Sequence, residues 1–188
     1  MNLIRLLAIA LFYGRHLIEY FVSAADTPVR GIYHTKVTLL CLVWAGFALV
    51  LHVWLTRRRV LPWLMYVVVG IDAGMITLLC VIAGGPQSPL VLLFFPLIAS
   101  APLRLSLPLV WWATACAILG YLGVLGHYAW YVVGFDRYYS TPELRIPRSS
   151  EAIIVLALLV TGLLCGQVVR QARRLVLRYP VTVSAVQE

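Results

Sequence analysis

Long apolar runs alternate along the chain with short segments that hold most of its charged residues. Measured against the roughly 20 apolar residues that cross a bilayer as a helix, the runs predict six spans: Leu3–Ser23, Lys36–Leu55, Leu61–Ala83, Pro89–Leu103, Leu107–Val133 and Ala152–Val169. The fourth, at about fifteen residues, is short and carries Pro96 and Pro102. It is expected to be tilted, broken or partly re-entrant; were it not to cross, the count would fall to five and the C-terminus would change sides. The fold class expected is all-α, a polytopic membrane helix bundle of about six transmembrane helices over residues 1–170, followed by a basic cytoplasmic tail over 171–188.

Composition strengthens this reading. Of the 188 residues 62% are hydrophobic and only 12% charged, and the mean hydropathy is +0.93, whereas a soluble domain is about half apolar and a quarter charged. The net charge of +8 comes from arginines scattered between the apolar runs, as topology determinants are, so nucleic-acid binding is not expected. Cys41, Cys80, Cys116 and Cys165 each lie inside a run with no CxxC spacing and read as small hydrophobes rather than disulfide or zinc ligands. Arg15, His16 and Glu19 interrupt the first run, which reads as a retained helix and not a cleaved signal peptide.

The arginines set the orientation. With six spans, Arg5, Arg57, Arg58, Arg59, Arg104, Arg170, Arg173, Arg174 and Arg178 share one side. The other side holds Arg30, Lys36, Arg137, Arg145 and Arg148 diluted by Asp26, Asp136, Glu143 and Glu151. The positive-inside rule then puts both termini in the cytoplasm of a bacterial inner membrane. Tyr128, Trp130, Tyr131, Phe135, Tyr138 and Tyr139 crowd the outer end of span five, as an interfacial belt does and as a ligand box would. Gln167–Tyr179 interleaves arginine with Val168, Val169, Leu175, Val176 and Leu177, which suits an anchor on an anionic surface or a stub leading to a partner.

Few residues in the spans offer chemistry. Asp72, between Gly70 and Gly74, is the acid deepest in a span. A buried carboxylate must be protonated or paired, so Asp72 is either a proton-handling residue or a neutral interhelical hydrogen-bonding group whose flanking glycines admit close approach. Arg15 and Glu19, four apart on one helical face, form a buried pair or, with His16 and His127, act as donors to a polar head group. His52 sits near the inner boundary and His16, His34 and His127 near the outer one; no helix carries a matched pair, so haem is not expected. No Ser/His/Asp spacing, HExxH, phosphate loop or DxD pair is present, so no catalytic residue and no metal are assigned.

Between spans three and four lies Gly84-Gly85-Pro86-Gln87-Ser88-Pro89-Leu90, an uncharged connector whose glycines and prolines fix a particular backbone shape. It resembles the Gly-Gly-x-x-Asn-Pro-Phe heptapeptide in the outward loop between spans three and four of the six-helix sensor domain of RegB-type redox histidine kinases. Ser88 stands where that family has asparagine and Leu90 where it has phenylalanine, and the kinase output domain is not represented. The resemblance implies a quinone or other lipophilic ligand near Gly84, Gly85, Ser88 and Pro89.

Together these features point to a membrane-embedded sensor or input module that detects a lipophilic or redox ligand and signals through its last helix. The partners expected are the lipid bilayer, a cytoplasmic signalling protein or subunits of a membrane complex, and a second copy of the chain. The alternative is a small structural subunit of a membrane complex. A transporter is the weakest reading, because the spans are poor in polar residues and carry no clear repeat.

Overall fold

Proline and glycine punctuate the chain where the apolar runs begin and end, and the helices follow that punctuation. The computed structural model describes residues 9–10, 12–14, 16–18, 20–21, 28–57, 62–134 and 148–178. Those between 9 and 21 are all helical. Helix α1 is Pro28–Arg57 and α2 is Pro62–Ile82; each opens on a proline, whose missing N–H costs nothing in a first turn. The 3₁₀ turns Gly85–Gln87 and Pro89–Leu93 lead into α3, Phe94–Ser100, which runs into a third 3₁₀ turn, Ala101–Arg104. Helix α4, Leu107–His127, passes into a π turn over Tyr128–Val132, and α5 is Arg148–Arg178. Apart from short turns the described residues are thus helical, without strands, as expected from the sequence.

Four of these helices contain stretches long and apolar enough to cross a membrane: Gly31–Leu51, Trp63–Ile82, Leu107–Val132 and Ser149–Leu175. Pro89–Arg104 is a shorter apolar helix. Nine of its residues are 3₁₀ and seven α, which, at rises of about 2.0 and 1.5 Å, gives roughly 28 Å end to end, close to the hydrocarbon thickness of about 30 Å. The tighter coil stretches a segment too short as a regular α-helix. Span one lies partly outside the described residues.

The chain divides into two compact units, Met1–Pro62 and Trp63–Glu188. In the second, α2 and α4 run the same way: Trp112 Nε1 donates to the Tyr66 carbonyl at 2.9 Å near their starts, and Gly120 faces Thr77 further along. Helix α5 runs opposite to α4, with Gly162 against Thr114 and Gly166 against Leu107. Between these helices, Pro89–Arg104 runs from the Gly85–Tyr128 end of the unit to the Leu105–Arg173 end. It therefore traverses the unit. At the second end, Val69, Ala101, Leu109, Val110, Ala113 and Val169 form a buried core, with Met65, Tyr66, Leu107 and Cys165 packed on it. Leu39, Leu42, Val43, Leu119, Leu156 and Leu164 are exposed, which is the surface a lipid-solvated helix presents.

Candidate functional site

The Gly84–Leu90 connector is held by its own backbone. Gly84 (φ 98°) and Gly85 (φ 80°) both occupy the left-handed region, where a side chain would be strained. Ser88 donates its backbone N–H to the Gly85 carbonyl at 3.1 Å, and its hydroxyl accepts the Leu90 N–H at 3.3 Å, capping the turn that Pro89 opens. Ser88, Gly85 and Pro86 are buried, while Gly84, Gln87 and Pro89 are exposed. The heptapeptide is thus a fixed cap, with its glycines and serine committed to backbone geometry.

The cap rests on the end of α4. A Cβ on Gly85 would lie 3.0 Å from Cδ2 of Tyr128, so only the bare glycine lets the ring approach. Tyr128 opens the π turn, where the Val133 N–H bonds back to its carbonyl at 3.1 Å; such turns are local widenings of a helix that recur at functional sites. His127, the last residue of α4, is half-buried and stacks on Tyr131, with ring centroids 5.2 Å apart. Sequence places Tyr128 in an interfacial belt; the structure adds a direct seat beneath the cap.

From that end two contacts lead inward. Gly120 of α4 lies under Thr77 of α2 and Phe94 of α3, so close that a Cβ would stand 2.6 Å from Thr77 Oγ1. Thr114 of α4, 3% exposed, fills the space over Gly162 of α5, where a Cβ would collide with its hydroxyl. Both threonines donate to the carbonyl four residues back at 2.8 Å, from Thr77 to Ala73 and from Thr114 to Val110, which satisfies each hydroxyl within its own helix while its oxygen lies against the facing glycine. Between α4 and α5 an apolar groove of about 490 Å³ is lined by Leu122, Leu125, Val155, Leu156 and Leu159, with Glu151 the charged residue in its wall. Tyr121 is fully buried beside this region of α4, and among the described residues its hydroxyl has no hydrogen-bond partner.

At the opposite end, Leu105 adopts φ 50°, unusual for a residue with a side chain, and its carbonyl accepts from Arg173 Nε at 2.8 Å. The turn between Pro89–Arg104 and α4 is thereby tied to the basic extension of α5.

The other residues singled out by sequence fall in separate places. Asp72 is buried on α2, 6% exposed, on the face that carries Val68, Val69, Ala73 and Ile76. A Cβ on its neighbours Gly70 and Gly74 would meet nothing within 4 Å among the described residues, whereas close helix approach occurs at Gly120 and Gly162. His16 belongs to the N-terminal unit and is bonded to His34. Arg15 and Glu19 lie outside the described residues. All four cysteines are free, and among the described residues no cluster of three or more His, Cys, Asp or Glu could hold a metal ion. Sequence reasoning missed Thr77, Phe94, Thr114, Gly120 and Gly162, whose pairing depends on which faces meet. Comparisons with protein-family models, with curated proteins and with solved structures find no match.

Proposed function

We propose that this protein is a membrane-embedded sensor or input module that binds a lipophilic, quinone-like ligand at the Gly84–Pro89 end of its second unit and passes the bound state through α5 to a cytoplasmic partner. The observation that supports this reading is the contact of Gly85 on Tyr128. A cap seated directly on the end of α4 cannot shift without moving that helix, and Thr114 on Gly162 couples α4 to α5. Close-packed contacts of this kind have discrete arrangements rather than a continuous range, which is what a two-state signal requires. A ligand drives the change only by binding the two packings with different affinity.

The chemistry of the end suits an amphiphile. The cap offers backbone groups in a fixed turn, His127 and Tyr131 offer a stacked pair, and the α4–α5 groove is walled by leucine and valine, the combination of an apolar body and few polar fixings typical of small-molecule sites. The test is thermal unfolding of the purified protein with a short-chain quinone, on the wild type and on Ser88→Ala. A dose-dependent rise in midpoint, smaller in the variant, supports the reading by linkage. No rise with any quinone moves the assignment to a structural subunit of a membrane complex.

A further inference from the structure

Three arginines fall close together near the end of α5: Arg170, Arg173 and Arg174. Spaced three and four apart, they share one helical face and span about 6 Å of rise, and all three are exposed. Like charges so placed repel one another. The negative end of the helix dipole acts only over the last turn, and Arg170 lies about two turns before the helix ends at Arg178, so the dipole does not account for the cluster. The acids among the described residues are Asp72, buried in α2, and Glu151, in the first turn of α5 at its other end. Neither belongs to the arginine face.

One of the three is held in place. Arg173 Nε donates to the Leu105 carbonyl at 2.8 Å, and Leu105 in turn closes the preceding 3₁₀ turn by donating its N–H to the Pro102 carbonyl at 2.8 Å. The guanidinium is thereby fixed through its Nε–H, and its two Nη groups, a fork that fits two oxygens of one phosphate, belong to an exposed side chain. Its depth is set as well. Leu105 immediately precedes the apolar stretch Leu107–Val132, so the guanidinium stands at the edge of the hydrocarbon, where headgroups lie. Arg104, beside Leu105, is half-buried and has an interaction of its own, and the cluster does not depend on it.

The turn that fixes Arg173 presents apolar surface. Leu103 and Leu105 are both exposed, and Leu105 keeps a left-handed backbone, φ 50°, that glycine would adopt without strain. An exposed leucine gives little burial within the protein, and backbone strain of this kind collects at functional sites. A free phosphate ion would use the arginines alone, and an acidic protein segment would set polar surface against the leucines. A phospholipid uses both, with its phosphate on the guanidinium groups and its acyl chains beside the leucines. Charge then selects among phospholipids: a choline head brings its own cation toward the arginines, whereas a glycerol head leaves the lipid anionic and is attracted by basic residues at the surface.

We propose that Arg170, Arg173 and Arg174, with Leu103 and Leu105, form a binding site for one anionic phospholipid at this end of the second unit. The proposal does not rest on the reading of the Gly84–Pro89 end. The test is native mass spectrometry of the full chain purified in detergent and titrated with phosphatidylglycerol or with phosphatidylcholine, reading the affinity of the first lipid bound. Phosphatidylglycerol should bind more tightly. Arg173→Gln should weaken that first binding about fivefold, the factor carried by one surface arginine, and Arg173→Lys, which keeps the charge but loses the fork and the bond to Leu105, should fall nearly as far. Arg57→Gln, outside the cluster, should bind like the wild type, and inorganic phosphate should not displace the lipid. Equal affinity for the two lipids overturns the proposal and leaves the arginines to an acidic protein partner. It is overturned too if Arg173→Lys matches the wild type or Arg57→Gln weakens binding as much as Arg173→Gln, since the attraction is then diffuse charge, and if inorganic phosphate displaces the lipid, since the site then takes phosphate alone. Should Arg173→Gln not fold, Arg170→Gln, which leaves the bond to Leu105 in place, carries the same expectation.

Discussion

Gly162 of α5 lies so close beneath Thr114 of α4 that a single added methyl would collide with the threonine side chain. Gly162→Ala is therefore expected to lower stability by about 1–3 kcal/mol through overpacking, read as a fall in the unfolding midpoint. Thr114→Ala made in the same chain should return part of the loss. A coupling of more than about 0.5 kcal/mol in the double-mutant cycle is expected for side chains in direct contact, and strict additivity would show that the two sites do not touch.

The two glycines of the cap should respond differently. Gly84 and Gly85 both have positive φ, but a Cβ on Gly84 meets nothing within 4 Å while one on Gly85 meets the Tyr128 ring at 3.0 Å. Gly84→Ala should cost about 1 kcal/mol of backbone strain. Gly85→Ala should cost visibly more, and Tyr128→Ala should remove the excess. Equal effects at the two positions would mean that the ring does not rest on the cap.

Leu105 holds a left-handed backbone with a side chain that is 41% exposed. Replacing it by glycine removes the strain at small cost in burial, so Leu105→Gly should be neutral or stabilising by up to about 1 kcal/mol. Removing the Arg173 guanidinium that bonds its carbonyl, as in Arg173→Gln, should instead destabilise by about 0.5–1.5 kcal/mol. A loss of stability in Leu105→Gly would show that its side chain contributes packing that offsets the strain.

Asp72 is buried in α2, and the asparagine variant separates hydrogen bonding from proton exchange. Asp72 is engaged in a polar interaction, so Asp72→Asn, which keeps a polar group there, should unfold close to the wild type, while Asp72→Leu should lose about 1–3 kcal/mol by removing it. If Asp72→Asn is as damaged as the leucine variant, the carboxyl itself is required.

Much of the architecture was legible from apolar run length. Span three, expected over Leu61–Ala83, is α2 at Pro62–Ile82, and span five, expected over Leu107–Val133, is α4 and its π turn. Helices α1 and α5 outrun spans two and six, because both continue into polar residues, to Pro28 and Arg57 and to Arg148 and Arg178; helical hydrogen bonding does not stop where hydropathy does. Pro89–Arg104 is doubtful as a crossing in the sequence for its short length and for Pro96 and Pro102, and its 3₁₀ turns lengthen it beyond what the α-helical rise allows. The cap was visible as a motif. The seat beneath it was not, since Gly85 meeting Tyr128, Thr114 meeting Gly162 and His16 meeting His34 each depend on how one segment is rotated against another, and a single sequence does not encode that rotation in its composition.

Helix α5 has 31 residues, about 46 Å at the α-helical rise, against a hydrocarbon layer of about 30 Å. The surplus, roughly three turns, carries Arg170, Arg173 and Arg174. A tilt of about 10° about the middle of the helix sweeps each end by about 4 Å over this length, and because Arg173 bonds the Leu105 carbonyl, the basic overhang carries the turn before α4 with it.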